Sequence, residues 1–207
     1  NAHEKIFNDF KDEKYNILIG TQMIAKGLDF PKVTLVGVLN GDASLNIPDF
    51  RSGERTFQLL NQVSGRAGRS SLKGKVVIQG FNVDNYSIIK ASNNDYVGFY
   101  EEEMKIRKKL LYPPFYNLVL IRMQSNDFEL LNNEADKINS YIRNNTSEIV
   151  LGPTTSSMPK INNIYYMNII IKYKKTQNIL DVLTYIFNKY RLNNRLTVSI
   201  DFNPYHF

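Results

Sequence analysis

The stretch from 115 to 207 limits the fold more than any other, because its apolar spacing switches period in a fixed order. Leu118 to Met123 is a run of strand-forming residues. Leu131, Ala135, Ile138 and Ile142 then step by four, three and four, the spacing of one helical face. Ile149-Val150-Leu151 reads as a short strand ended by Gly152-Pro153, and Ile164 to Tyr173 as a long one. Ile179, Leu183, Ile186 and Tyr190 repeat the helical step. From Arg195 to Phe202 the chain alternates, with Leu196, Val198, Ile200 and Phe202 on one face and Arg195, Thr197, Ser199 and Asp201 on the other. The resulting βαββαβ order is that of a ferredoxin-like α+β domain, with both helices on one face of the sheet. Its other face is left to solvent or a partner. No acid–base pair, nucleophile or metal cluster stands out in this half, so it reads as a binding or scaffolding module.

The first half has a different pattern. Residues 3–12 put Ile6, Phe7 and Phe10 on one helical face. Asn16 to Gly20 is a short apolar run that reads as a buried strand, and Val33 to Leu39 is another. Apolar strands with a polar turn between them suggest a parallel sheet covered on both faces. Ligands of such sheets sit beyond the carboxyl ends of the strands. Thr21, Gln22, Lys26 and Asp29 lie just past the first run, and Asn40 and Asp42 just past the second. After a loop from Asp42 to Gly53, the repeat of Phe57, Leu60 and Val63 predicts a helix, and Lys75 to Gln79 a third strand. Residues from about Tyr86 to Leu111 read as largely helical, stopped by Pro113-Pro114. The expected division is residues 1–92, a linking helix over 93–114, and a C-terminal domain over 115–207.

The chemistry of this half concentrates in Gln62-Val63-Ser64-Gly65-Arg66-Ala67-Gly68-Arg69. Gln62 and Arg66 stand one helical turn apart, with Arg69 at the next equivalent spacing. Arginine is always charged and presents a planar fork of donors that suits phosphate. A glycine-relieved arginine pair therefore fits a phosphoryl-transfer site. Equally, it fits an exposed basic helix end stabilised by the helix dipole.

Composition removes several alternatives. The 207 residues contain no cysteine and only two histidines, His3 and His206, so disulfides, thiolate metal sites and histidine-based catalysis are not expected. No apolar run approaches the roughly 20 residues of a membrane span. A net charge of +6 is compatible with nucleic-acid binding, although the joint abundance of asparagine, isoleucine, lysine and tyrosine points to compositional bias as its source.

Five stretches carry a family resemblance. Residues 17–39 (ILIGTQMIAKGLDFPKVTLVGVL) resemble motif V of superfamily 2 helicases, and residues 62–69 (QVSGRAGR) resemble motif VI. Between them PDFRSGERTFQLLNQ (48–62) is similar to a segment peculiar to the bacterial primosomal helicases, and LYPPF (111–115) and LGP (151–153) sit where that family has them. The resemblance covers essentially the whole chain. It implies part of a RecA-like helicase lobe, followed by a ferredoxin-like domain that in the family resembles a small-subunit ribosomal protein. It further implies that Arg66 and Arg69 reach the ATP phosphates, Arg69 as an arginine finger. Gln62 would position them, and Gly27 and Asp29 would line the nucleotide cleft. Thr21, Gln22 and Lys26 would touch DNA.

The same resemblance implies an ATP-dependent 3′→5′ DNA helicase acting at stalled replication forks in the cytoplasm. Its expected partners are branched or single-stranded DNA, primosome proteins and single-stranded DNA-binding protein, with no membrane. Departures matter too. There is neither a Walker A sequence nor an acidic box, and the family's cysteine-rich zinc insert is absent. The expectation is a C-terminal fragment, inactive alone, with ATP and Mg²⁺ held mainly by another lobe and the zinc ligands elsewhere. Tyr166 stands near where many members carry arginine, which counts against DNA contact there. A non-catalytic DNA- or protein-binding module is the alternative, with Tyr165, Tyr166, Tyr173 and Phe202 as possible base-stacking platforms.

Overall fold

The computed structural model describes residues 2–21, 32–64 and 74–205. They fall into two compact units, Asn1–Ile47 with Arg51–Glu103, and Pro48–Phe50 with Met104–Phe207.

In the first unit, α1 (Ala2–Lys11) precedes β1 (Leu35–Val38), a 3-10 turn (Ala43–Asn46), α2 (Ser52–Ser64), β2 (Lys75–Ile78), α3 (Tyr86–Ser92) and the start of α4 (Tyr96–Leu110). β1 and β2 pair in parallel, with Leu35 beside Lys75 and Val38 beside Ile78. The core gathers Phe57 and Leu60 of α2, Ile88 and Ala91 of α3 and Phe99 of α4, with Val38 and Ile78 packed against them. Phe57 stacks on Phe99 at 4.2 Å between ring centroids. Burying each such side chain contributes roughly 1.5–3 kcal/mol.

Two expectations need correction here. Residues 16–20 are not a buried strand: they form no regular element, and Ile17 and Ile19 are 77% and 87% exposed. A strand exists only where a neighbour takes its backbone groups, and among the described residues none pairs with this run. Among the described residues the sheet is not covered on both faces either. Exposure alternates along β1 and β2, leaving Leu35 and Val77 outward while Val36 and Val38 face inward. Leu39, expected at the end of the second buried run, is exposed. The stretch from Tyr86 is largely helical as expected, with one break at Asn93–Asp95, where Asn94 adopts φ 51°. Asparagine tolerates that left-handed conformation, and the Asp95 carboxylate then accepts a 2.8 Å hydrogen bond from Gly98 N to start α4.

The second unit takes the end of α4 and then β3 (Asn117–Ser125), α5 (Phe128–Asn145), β4 (Ile149–Ile161), β5 (Ile164–Tyr173), α6 (Gln177–Tyr190) and β6 (Thr197–Phe202). The strand order is β4-β5-β3-β6 with every pairing antiparallel, as a ferredoxin-like domain requires. Both predicted helices form where the apolar steps placed them. Asp127 caps α5, its carboxylate accepting from Leu130 N at 3.0 Å. Leu131, Ala135, Ile138 and Ile142 from α5 meet Ile179, Leu183 and Ile186 from α6 over Val119, Ile121, Met123, Ile169 and Ile171 of the sheet. Across that layer the Tyr190 hydroxyl donates to Glu134 at 2.7 Å.

One strand end differs from expectation. β4 does not stop at Gly152-Pro153 but continues to Ile161, with register irregularities after Leu151 and Thr155. It turns into β5 through Asn162 and Asn163, at φ 50° and 62°. Two consecutive left-handed residues are what a two-residue hairpin turn needs, and asparagine supplies them.

Candidate functional site

β1 and β2 end together, and the backbone beyond them is laced into one frame. Gln79 N donates to Val38 O at 2.9 Å, and Gly41 N donates to Gln79 O at 2.7 Å. Asn40 adopts φ 56°, turning the chain so that Asp42 points inward. Asp42 is 4% exposed, and its Oδ2 accepts from Phe81 N at 2.8 Å and Asn82 N at 2.7 Å. Those amides, Asn82 foremost, hold the carboxyl below its ordinary pKa despite the opposing effect of burial. Its Oδ1 has no hydrogen-bond partner. Gly80 is required beside it, because a Cβ there would stand 2.8 Å from Oδ1. Ligands of parallel sheets sit beyond such strand ends, and here the chain beyond both strands is tied together by backbone and Asp42 hydrogen bonds.

α2 is the element that serves this edge. Thr56 Oγ1 donates to Ser52 O at 2.8 Å within its first turns, and Phe57 and Leu60 fix its inner face. Gln58 and Gln62, one turn apart, are therefore outward and exposed. Gly53 lies against the pair in which the partly buried Tyr86 hydroxyl donates to the buried Glu103 at 2.5 Å. A Cβ at Gly53 would stand 2.6 Å from the Tyr86 oxygen and 3.2 Å from Glu103 Oε2. Gly53→Ala is accordingly expected to destabilise the first unit by about 1–3 kcal/mol, read as a lower unfolding midpoint in denaturant. An unchanged midpoint would show that the pair moves aside freely.

Of the predicted site residues, Gln62 and Thr21 are placed, both exposed. Gln22, Lys26, Gly27, Asp29, Arg66 and Arg69 lie outside the described residues.

The second unit presents a second polar group. Val119, Ile121 and Met123 of β3 face the helices, so Leu118, Leu120, Arg122 and Gln124 alternate onto the opposite face. In register, Arg122 stands beside Asn168 of β5 and Ser199 of β6, and Gln124 beside Tyr166 and Thr197. Asn168 is 7% exposed, and its Oδ1 has no hydrogen-bond partner. One of the suggested stacking platforms is not available: Tyr173 is 2% exposed in the core, while Tyr165 is half-buried against that core, with Phe128 at 5.3 Å.

Residues 1–71 match the family described as helicase conserved C-terminal domain, and residues 108–205 match primosomal protein N C-terminal domain. Replication restart protein PriA of Bacillus subtilis is 44% identical over 209 residues, covering 99% of this chain and 26% of that protein. The Chlamydia muridarum and Borreliella burgdorferi proteins of the same name are 38% and 36% identical, over 98% and 95% of this chain and 27% and 30% of theirs. This chain belongs to the PriA family. It spans between about a quarter and a third of the length of those curated relatives. The parallel β1–β2 pair with α2 fits the RecA-like lobe of a helicase, and the βαββαβ unit coincides with the PriA C-terminal domain.

Within that PriA frame, sequence reasoning missed what Asp42 and Asn168 do. Asp42 was legible as a polar residue at a strand end, but not as a buried cap for the loop after β2. Asn168 lay hidden inside the long apolar run of β5, where its polarity at an alternate position was the available signal. Among the described residues no helix is long and apolar enough to cross a membrane.

Proposed function

We propose that this chain is the motif V and VI portion of the second RecA-like lobe, with the C-terminal domain, of an ATP-dependent 3′→5′ DNA helicase that restarts stalled replication forks in the cytoplasm. The observation that carries this reading is the joint occurrence in one chain of the motif V-like run 17–39, the motif VI-like run 62–69 and matches to both family domains.

In this reading Arg66 and Arg69 bring guanidinium charge to the ATP phosphates, where charge builds up in the transition state. Gln62 sets their approach from α2, and its exposed carboxamide fits a hydrogen-bonding role toward a nucleotide. Gly27 and Asp29 line the same cleft, and Thr21, Gln22 and Lys26 hold the DNA backbone. ATP with Mg²⁺ supplies the phosphoanhydride whose hydrolysis drives strand separation. The chain has no Walker A sequence, so the phosphate cradle comes from another lobe, and without cysteine it supplies no thiolate to a structural zinc. Partners are branched or single-stranded DNA, primosome proteins and single-stranded DNA-binding protein.

A partial duplex with a single-stranded tail tests the polarity. The full-length protein is expected to unwind substrates tailed on the 3′ side and to leave 5′-tailed ones intact. Unwinding only of 5′-tailed substrates, or none with ATP, would overturn the proposal. A second reading, a non-catalytic DNA- or protein-binding module, is favoured by the unpartnered Asn168 Oδ1 in register with Arg122. It predicts salt-dependent DNA binding by the isolated chain and no ATP-driven unwinding by the whole protein.

A further inference from the structure

The two edges of the four-stranded sheet are not alike. β4, at one end, is interrupted by Pro153 and Pro159, carries Lys160, and loses register after Leu151 and after Thr155. Proline, lysine and irregular register are devices by which an edge strand discourages further pairing. β6, at the other end, has none of them. It runs from Thr197 to Phe202 in unbroken register with β3, from Phe202 beside Val119 to Thr197 beside Gln124. Among the described residues no strand pairs with its outer side.

The hydrogen bonds of β6 decide which groups that side presents. Asn203 N donates to Leu118 O at 2.7 Å, so Asp201, Ser199 and Thr197, at steps of two, also turn their backbone groups toward β3. Val198, Ile200 and Phe202 therefore direct theirs outward. Val198 and Ile200 pack their side chains against the core under the helices, and alternation places Phe202 with them, 43% exposed. Ser199 and Asp201 stand on the opposite face of the sheet, with Arg122 of β3 beside Ser199.

This strand is complementary to itself. In an antiparallel pair centred on Ile200, Ile200 faces Ile200 of the copy and Val198 faces Phe202, so all three outward residues find partners. Ser199 then faces Asp201 of the copy, and Arg122 stands beyond Ser199 in the same row. Two strand spacings, about 9–10 Å, separate the backbones of Arg122 and that Asp201. The two side chains can close this gap over the small serine. Among the described residues neither Arg122 nor Asp201 makes an ion pair. Centring the pair on Asp201 instead would set that carboxylate against its own copy, which repels.

We propose that β6 is a self-association edge: two copies of the chain join their C-terminal sheets through it, with Arg122 of each reaching Asp201 of the other. The occupant of the edge is a second copy of this chain, and the inference stands apart from the ATPase reading.

Sedimentation velocity of the full-length protein, from about 1 μM to 1 mM to span weak association, should show a monomer–dimer equilibrium. Arg122→Glu and Asp201→Arg should each raise the dimer Kd about tenfold, since each sets like charges across the interface at two symmetric places. The variant carrying both changes should return to within about twofold of wild type. In hydrogen exchange, residues 197–202 should gain protection as concentration rises, because the outward amides of Val198, Ile200 and Phe202 are bonded only in the dimer. The inference is overturned by a protein that stays monomeric throughout, by single variants that associate like wild type, or by a double variant that stays weak. Protection that does not depend on concentration would overturn it too, because another segment of the same molecule would then cover the edge.

Discussion

Replacing Arg69 by alanine in the full-length protein is expected to lower DNA-stimulated ATP hydrolysis by about three orders of magnitude, while the Kd for forked DNA changes by no more than about twofold. The size follows from what such an arginine does. It adds little to ground-state binding and stabilises charge that develops on the transferring phosphoryl group, an effect of roughly 10³–10⁵ in turnover. In the proposed function hydrolysis drives unwinding, so strand separation should vanish with it. Arg69→Lys should recover little of the loss, since an ammonium is a compact point charge that cannot reproduce the planar two-point contact of a guanidinium. Arg66→Ala should resemble Arg69→Ala in direction. Loss of DNA binding with hydrolysis preserved would move the cluster out of the ATP site and favour a binding module.

Leu131→Ala is expected to produce the largest loss of stability. Leu131 is fully buried and sits with Ala135, Ile138 and Ile142 on the inner face of α5. Truncation removes the transfer free energy of its side chain and leaves a cavity that the sheet and α6 cannot close, costing about 2–5 kcal/mol. For a unit of this size each kcal/mol lowers the midpoint by roughly 4–8 °C. The thermal transition of the second unit should therefore fall by about 10 °C or more. The first unit has its own core around Phe57, Leu60 and Phe99, so a transition belonging to it should stay in place. Calorimetry of the 207-residue chain distinguishes the two. A second-unit shift below about 2 °C would mean that the α5 face is far looser than its burial implies.

The ferredoxin-like unit was the most legible part of the sequence because its helices and strands have unambiguous periods. Four α5 positions and the α6 series Ile179, Leu183, Ile186 and Tyr190 lie in the core where their spacing placed them. The misreadings share a cause, which is that burial depends on a neighbour that a local pattern does not reveal. Ile17, Leu18 and Ile19 look like a strand, yet no described strand pairs with them. β4 looks finished at Gly152-Pro153, but its pairing with β5 resumes beyond and carries it to the Asn162-Asn163 turn.

The candidate site is marked in the sequence in a different way. Gln62, Arg66 and Arg69 stand out by residue type and spacing alone, and α2 does run through Gln62 to Ser64. Arg66 and Arg69 lie outside the described residues. Asp42 lay in view at a strand end, but its task depends on two amides about forty residues further on.

The most direct measurement is ATP hydrolysis by the isolated 207-residue chain beside the full-length protein, each with and without forked DNA. An arginine pair stabilises a transition state only on a nucleotide that other groups hold. The full-length protein should therefore hydrolyse ATP in a DNA-dependent way, and the chain should show no turnover above background under either condition. DNA-dependent hydrolysis by the chain alone would contradict the assignment of Arg66 and Arg69 to one half of a divided ATP site.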